Sequence, residues 1–168
     1  GYEAWSDANR KRFDQPEGYD DGYKTFFAET TAAFLDGGET ENAVYSPMSL
    51  YMALSMCAEI TEGTTRQQLL DVLAQQDIKT LRTNANALWN ANYTDDGMGK
   101  CLLANSLWTN SRLAYKQDAL DTVAENYYAS VYGGDPATEE YNQLLQDWMN
   151  EQTDGLLTDY TGNIKMTP

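Results

Sequence analysis

The sequence predicts an α+β fold in which about six helices pack on two or three strands of an incomplete sheet. Apolar residues recur at helical spacing in most of the segments between turn signals. Only residues 42–45, 101–109 and 130–132 have the composition of strands. Hydrophobic residues make up 42% and aromatic residues 12% of the 168 residues. Such a chain is too apolar to be an acidic disordered segment and can bury a core.

The composition excludes several classes of active site. The chain has 26 Asp and Glu residues against 11 Lys and Arg residues and no histidine, so its formal net charge is −15. Without an imidazole there is no Ser-His-Asp or Cys-His nucleophile and no His-ligated zinc. So acidic a surface repels a phosphate backbone, and the one cationic cluster, Arg10 to Arg12, does not offset that repulsion. We therefore expect no enzyme, no cofactor, no metal and no nucleic-acid partner.

The first helix follows a polar lead-in. Residues 1–22 show no sustained period, which predicts a loosely ordered segment before a mainly helical portion over residues 23–168. From Tyr23 apolar side chains recur at helical spacing as far as Leu35, and Gly37-Gly38 predicts the end of the helix. No apolar run approaches the roughly 18 residues that a membrane span requires, so we expect no membrane span.

The second helix has a clear start signal. Ser46 is a good N-cap, and Pro47 stands at the first helical position, directly after the β-prone residues 42–45. Residues 50–58 are nearly all apolar, which predicts a helix buried on most sides.

Two further helices and the longest strand come next. After a break at residues 63–65, Thr65 and Gln68 have the spacing of a capping box that opens a short helix. Residues 78–89 carry an apolar stripe at helical spacing that ends before the turn at residues 95–97. Residues 101–109 then read as one long strand, apolar on both faces and therefore interior to a sheet.

The C-terminal part combines two helices with a short strand. Residues 120–128 repeat as a helix, and residues 130–132 form a strand that leads to Gly133-Gly134. The last helix runs from Thr138 to Gln152. Its apolar stripe is expected to be buried and consists of Tyr141, Leu144, Leu145, Trp148 and Met149. Two or three strands cannot cover both edges of a sheet, so we infer that the chain is part of a larger fold.

Three weaker features have ordinary structural explanations. Cys57 and Cys101 lack the spacing of a metal site, and we expect two buried free thiols, with a single disulfide as the alternative. Asp20-Asp21 and Asp95-Asp96-Gly97 lack the alternating oxygen ligands of a calcium loop and are expected to be solvated turns. Asn92-Tyr93-Thr94 fits the glycosylation acceptor pattern, which occurs often by chance.

The order of the elements and the motifs at their junctions resemble the N-terminal half of a serpin. The strongest match is residues 42–50, NAVYSPMSL, which is similar to the family's N-x-x-x-S-P-x-S pattern at its buried second helix. The other matching segments follow in family order and spacing, and they are Ala53 to Met56, Gly63 to Thr65, Ala104 to Trp108, Asn126 to Ala129, and Trp148 to Leu157. Two departures, Ile60-Thr61 for the family's usual Gly-Ala and Gln146 for its usual Asn, bear on inhibitory competence.

The resemblance implies a serpin-like N-terminal portion with an incomplete antiparallel sheet. Its full-length form would trap a serine or cysteine protease, which cleaves an exposed loop that then inserts as a strand into the central sheet. The reactive loop is absent from these residues, so we expect that this chain alone does not inhibit. The alternative is a non-inhibitory acidic binding module that uses only the helical half of the fold.

The resemblance also implies a set of functional positions. The expected shutter positions, where hydrogen bonds exchange as strands part, are Asn42, Ser46, Pro47, Ser49 and Asn105. The expected helix-junction positions are Gly63, Thr65, Thr153 and Gly155. From chemistry alone, Ser46 is an ordinary N-cap, Ser49 bonds its own first turn and Asn105 is a satisfied buried amide, and this alternative stays open.

The expected surroundings follow from the same resemblance. A full-length form would meet its target protease outside the cell or at the cell surface, in a bacterium. We also expect residues 101–109 to pair through their open edge with another chain or with the C-terminal segment.

Overall fold

The computed structural model describes residues 12–35 and 44–167. Within these residues lie seven helices and four strands, which confirms the predicted α+β class. The helices are α1 (Asp21–Leu35), α2 (Pro47–Ile60), α3 (Gly63–Val72), α4 (Ile78–Asn92), α5 (Gln117–Tyr127), α6 (Glu139–Gln152) and α7 (Thr158–Thr161). The strands are β1 (Thr94–Asp95), β2 (Lys100–Cys101), β3 (Asn105–Asn110) and β4 (Ala129–Gly134). The predicted helix stop at Gly37-Gly38 lies outside the described residues, and the lead-in over residues 1–22 stays a prediction.

The described residues divide into two compact units. The first contains the residues up to 105 together with residues 116–129, and the second contains residues 106–115 and 130–167. In the first unit α2 lies at the centre and packs against α1, α3, α4 and α5. The core of this unit consists of Phe26, Tyr51, Ala58, Leu70, Leu73, Leu81 and Leu88. Burial of these side chains, which come from four helices, is the main contribution to the stability of the unit.

The predicted start of α2 is confirmed, and the helix is buried on most sides as predicted, with one exposed face. The Ser46 side chain accepts a hydrogen bond from the backbone N–H of Ser49, and Pro47 is the first helical residue. However, Leu50, Ala53 and Cys57, which share one face of the helix, are exposed. The neighbouring helices cover the opposite face of α2, so a nearly continuous apolar run is buried along only part of its circumference.

The predicted capping box at Thr65 is wrong, because α3 begins two residues earlier. Glu62 occupies the N-cap position without a side-chain capping bond, and Gly63, at φ +61, turns the chain directly into the helix. At the other end, Ala74 adopts φ 51, with Ala74 N donating to Asp71 O and Gln75 N donating to Leu70 O. These two bonds form a Schellman motif with an alanine at the left-handed position that glycine usually occupies.

The predicted strand over residues 101–109 is wrong, since two separate strands take its place. Thr94 and Asp95 of β1 pair antiparallel with Cys101 and Lys100 of β2. The hairpin turn is closed by Asp96, whose Oδ1 accepts the N–H groups of Met98 and Gly99. This local pairing uses Cys101, the first residue of the run, and β3 begins only at Asn105. The hairpin also leaves Cys101 exposed.

Both cysteines are free, as predicted, but neither is buried. The expectation of buried thiols is therefore wrong for Cys57, on the open face of α2, and for Cys101, in the hairpin. No helix in the described part of the chain is both long and apolar enough to cross a membrane.

The second unit is built on β3 and β4, which lie side by side. Thr109 Oγ1 donates to Tyr132 O at 2.9 Å, and Ser111 N donates to Gly134 O at 2.8 Å. Gly134 is required here, because a Cβ at this position would lie 2.5 Å from the Tyr141 ring. The glycine thus allows α6 to approach β4 closely.

Helix α6 buries only part of the predicted stripe, in which Leu145, Trp148 and Met149 are half-buried. Tyr141 is buried as expected, whereas Leu144 is 43% exposed, so the prediction for Leu144 is wrong. Asn142 and Gln146 are buried in its place. The reason is that the chain after α7 returns along this side of α6, where the two amides bond its backbone.

Candidate functional site

Two of the predicted shutter residues lie together at the start of α2. Ser46 Oγ and Ser49 Oγ are 2.8 Å apart, and Ser49 N donates to Ser46 Oγ at 3.3 Å. Both side chains are exposed, and Pro47 beside them fixes the backbone of the first turn. The two hydroxyls therefore have free hydrogen-bonding capacity beyond the N-cap.

Asn105 lies elsewhere in the first unit, at the beginning of β3. Its Nδ2 donates to the backbone carbonyl of Tyr127 at 2.7 Å, and the side chain is half-buried. Tyr127 is the last residue of α5, so Asn105 satisfies a carbonyl that has no partner within its own helix. The structure thus joins Asn105 to α5 and the two serines to each other, and Asn42 lies outside the described residues.

The residue after this carbonyl has an unusual backbone. Tyr128 is left-handed, with φ 52, which is uncommon for a bulky residue. Its ring stacks on Trp89 with the centroids 4.0 Å apart, and Trp89 stacks on Tyr93 at 4.5 Å. Asn90 Nδ2 also donates to the Tyr128 hydroxyl at 3.0 Å. These contacts hold the strained turn between α5 and β4.

Three of the four predicted helix-junction residues, Gly63, Thr153 and Gly155, lie at the ends of helices. Gly63 adopts φ +61 at the start of α3, and Thr65 is exposed within the same helix. Thr153 caps α6 and donates from Oγ1 to Met149 O at 2.8 Å. Gly155, at φ 78, donates its N–H to Asn150 O at 2.8 Å, which completes a Schellman motif.

Helix α6 is attached to both strands of its unit by one side chain. The Tyr141 hydroxyl lies 3.0 Å from Thr109 O on β3 and 3.0 Å from Tyr132 O on β4. The Trp108 ring stacks on Tyr132 at 4.2 Å and meets the Trp148 ring of α6 edge-on at 6.4 Å. Burial of the Tyr141 hydroxyl raises its pKa above the ordinary value, so it remains a neutral donor.

Sequence reasoning missed a buried ionic cluster in the first unit. Glu59 of α2 accepts two hydrogen bonds from Arg82 of α4, each 2.8 Å long, and a third from the Tyr127 hydroxyl of α5 at 2.9 Å. The Glu59 side chain is only 3% exposed. Burial and the adjacent carboxylate raise the pKa of Tyr127, and the hydrogen bonds to Glu59 raise the pKa of Arg82. A glutamate inside an apolar helix was the available signal, because a buried carboxylate needs a cation.

The weaker predicted sites do not assemble into a ligand site. Asn92 Nδ2 donates to Leu88 O at 2.8 Å, so its amide already has a helical partner. Asp96 closes the hairpin turn, as expected for a solvated turn. The described residues contain no group of three or more metal-ligating side chains.

Comparison with known sequences gives one family. The family described as Serpin (serine protease inhibitor) matches residues 22–168. The leukocyte elastase inhibitor of Xenopus laevis is 31% identical over 124 residues, which cover 71% of this chain and 33% of that protein. An uncharacterized serpin-like protein of Methanosarcina mazei is 25% identical over 134 residues, which cover 78% of this chain and 32% of that protein. The chain therefore spans about a third of the length of these relatives.

Solved structures give the same fold. A thermophilic serpin, tengpin, in its latent state matches with a TM-score of 0.73 and 20% identity, over 86% of this chain and 39% of the tengpin chain. A loop C-sheet serpin polymer matches with a TM-score of 0.74 and 20% identity, over 86% of this chain and 38% of the other.

Proposed function

Because the chain belongs to the serpin family, we propose that its full-length form inhibits a serine or cysteine protease by reactive-loop cleavage and strand insertion. The observation that carries the proposal is the attachment of α6 across β3 and β4. A strand that enters such a sheet must separate neighbouring strands, so the contacts that hold them have to be few and exchangeable. The single Tyr141 hydroxyl shared between two strand carbonyls meets this requirement.

The proposed shutter follows from the hydroxyl pair and the amide. Ser46 and Ser49 bond each other at 2.8 Å and remain exposed, so they can form new bonds without first being uncovered. Asn105 can exchange the Tyr127 carbonyl for another acceptor only by leaving the end of α5 without its cap. We therefore assign the two serines to strand exchange and Asn105 to the coupling of β3 with α5.

A covalent-complex assay on the full-length protein tests the proposed inhibition. The protein is mixed with a panel of serine and cysteine proteases, and the products are separated on a denaturing gel. We expect a complex that survives denaturation with at least one active protease. The matched control is the same protease with its nucleophile replaced by alanine, which cannot form the acyl bond. Cleavage without a complex across the panel would refute the inhibitory function.

The acidic binding module remains the second candidate. It is favoured by the closed apolar core of the first unit, which needs no further strand to bury Tyr51, Leu73 and Leu81. The mass of the protein from its native source separates the two candidates. A product near 18.9 kDa supports the module, whereas a product between two and three times larger supports the inhibitor.

Two further parts of the proposal concern the surroundings of the protein. We place its action outside the cell or at the cell surface, where fractionation of the source cells should recover it. We also propose pairing of residues 101–109 with another chain, for which β3 supplies the usable strand. A strictly monomeric chain whose β3 amides exchange freely with solvent would contradict the pairing.

A further inference from the structure

Three amide side chains form a row along α6, opposite the chain segment that follows the helix. Asn142, Gln146 and Asn150 are spaced by four residues and so lie on one side of the helix. Each bonds a different point on residues 161–166, which we call the return segment. Asn142 Oδ1 accepts Met166 N at 2.6 Å, Gln146 Nε2 donates to Ile164 O at 2.9 Å, and Asn150 Oδ1 accepts Thr161 Oγ1 at 2.9 Å.

Asn142, at the N-terminal end of this row, also forms hydrogen bonds with the start of its own helix. Asn142 Nδ2 donates to Pro136 O at 2.9 Å and to Thr138 O at 2.7 Å. One amide therefore connects the N-terminus of α6 with the end of the return segment. Asn142 is 4% exposed and Gln146 is 6% exposed. Water cannot replace a lost partner without opening the structure, because a buried amide without a partner is costly.

The return segment has little else to hold it. Thr161 is buried, but Gly162, Asn163, Ile164 and Lys165 are all exposed. Since few apolar atoms of this segment leave water, hydrophobic burial contributes little to its position. Its attachment to α6 therefore depends mainly on the three amide contacts, because the only other side-chain contact described between them, the Lys165–Glu139 ion pair, is exposed and contributes little.

We propose that the amide row is a latch that joins α6 and the return segment into one cooperative body, so that neither opens without the other. The relevance of the latch to strand insertion rests on the proposed function. In a sheet that admits a new strand, α6 would lift together with its return segment. The strength of the latch would then set how readily the pair moves away from β3 and β4.

Hydrogen exchange measured by mass spectrometry on this chain tests the latch. Gln146→Ala removes the donor to Ile164 O, and Gln143→Ala is the matched control on an exposed face of the same helix, where Gln143 bonds only Asp147. We expect Gln146→Ala to speed exchange about tenfold or more in the return segment and, in parallel, in residues 139–152. The control should change neither. Faster exchange in the return segment with α6 unchanged would overturn the proposal.

A second variant acts from the other side of the latch and keeps the test decisive if Gln146→Ala fails to fold. Thr161→Val is nearly isosteric and removes the hydroxyl that donates to Asn150 Oδ1. We expect it to speed exchange in both segments together, with an unchanged far-ultraviolet circular dichroism spectrum. Exchange confined to residues 158–166 would again overturn the latch. Neither measurement requires inhibition, so joint exchange without any protease complex would refute the proposed function and leave the latch intact.

Discussion

Replacement of Arg82 by methionine is the sharpest test of how the first unit is held together. The change keeps the aliphatic stem and removes the guanidinium that donates two 2.8 Å bonds to Glu59. Glu59 would remain as a carboxylate that is 3% exposed, with only the Tyr127 hydroxyl as a partner. Loss of one partner of a buried ion pair typically costs 3–5 kcal/mol, and because the Arg82 side chain is 34% exposed we expect the lower end, about 3 kcal/mol.

A double-mutant cycle separates the ionic interaction from the packing of the same atoms. Glu59→Met leaves Arg82 able to reach solvent but leaves the Tyr127 hydroxyl unpaired, so we expect a cost of about 2 kcal/mol. The double variant carries no buried charge, but the Tyr127 hydroxyl is unpaired in it, as it is in Glu59→Met. The free energy of unfolding should therefore again fall by about 2 kcal/mol. The two single costs then exceed the double cost by about 3 kcal/mol, which is the expected coupling energy.

Urea unfolding followed by circular dichroism measures each corner of the cycle. With a slope near 2 kcal/mol per molar, Arg82→Met should lower the midpoint by about 1.5 M. Arg112→Met is the control, because Arg112 forms an exposed ion pair with Asp135. Loss of this pair should leave the urea midpoint equal to that of the unsubstituted chain. Additive single effects, or an Arg82→Met midpoint equal to that of the control, would refute the role assigned to the buried cluster.

Three further predictions concern the same unit. Burial raises the pKa of Tyr51 to about 12 and raises that of Tyr127 further. Unfolded tyrosine titrates near pH 10, so the stabilisation that each buried neutral hydroxyl contributes is complete below pH 10 and should fall above it by about 1.4 kcal/mol per pH unit; Tyr51→Phe should lower the slope in alkaline urea titrations by about that amount. Ala74→Gly should stabilise the chain by about 1 kcal/mol in thermal unfolding, because φ 51 strains an alanine; a lower melting temperature would contradict this. Gly22→Ala should destabilise by about 2 kcal/mol, since its Cβ would lie 1.9 Å from Gln75 Nε2 and 3.0 Å from Ala74 O; an unchanged urea midpoint would show that Gln75 moves freely.

Signals that act within one helical turn predicted several elements well, and contacts between different elements account for the main errors. The start of α2 at Ser46-Pro47 was readable because an N-cap and a proline act within one turn. The strand over residues 101–109 was misread because its first residue, Cys101, pairs with β1, and β propensity does not reveal which strands pair. The ion pair of Glu59 was missed because Arg82 lies 23 residues along the chain, on a different helix.

The same distinction applies to α6 and its return segment. The helical period of α6 was predicted, but the burial of Asn142 and Gln146 was not. An amide on a helix is ordinarily read as solvent-facing, and only the returning chain supplies the backbone groups that make its burial favourable. The Asn to Gln departure at position 146 keeps an amide donor, which here reaches Ile164 O.

The two units are stabilised by different kinds of interaction, and the difference bears on function. The first unit buries aliphatic and aromatic side chains from four helices around one ion pair, and such a core resists gradual deformation. In the second unit the buried residues include Thr109, Asn142, Gln146 and Thr161, which are held by directional hydrogen bonds. The proposed strand insertion would require some contacts to be replaced while others stay fixed. If that proposal is correct, the contacts to be replaced are the hydrogen bonds on β3, β4 and α6, and the apolar core of the first unit stays fixed.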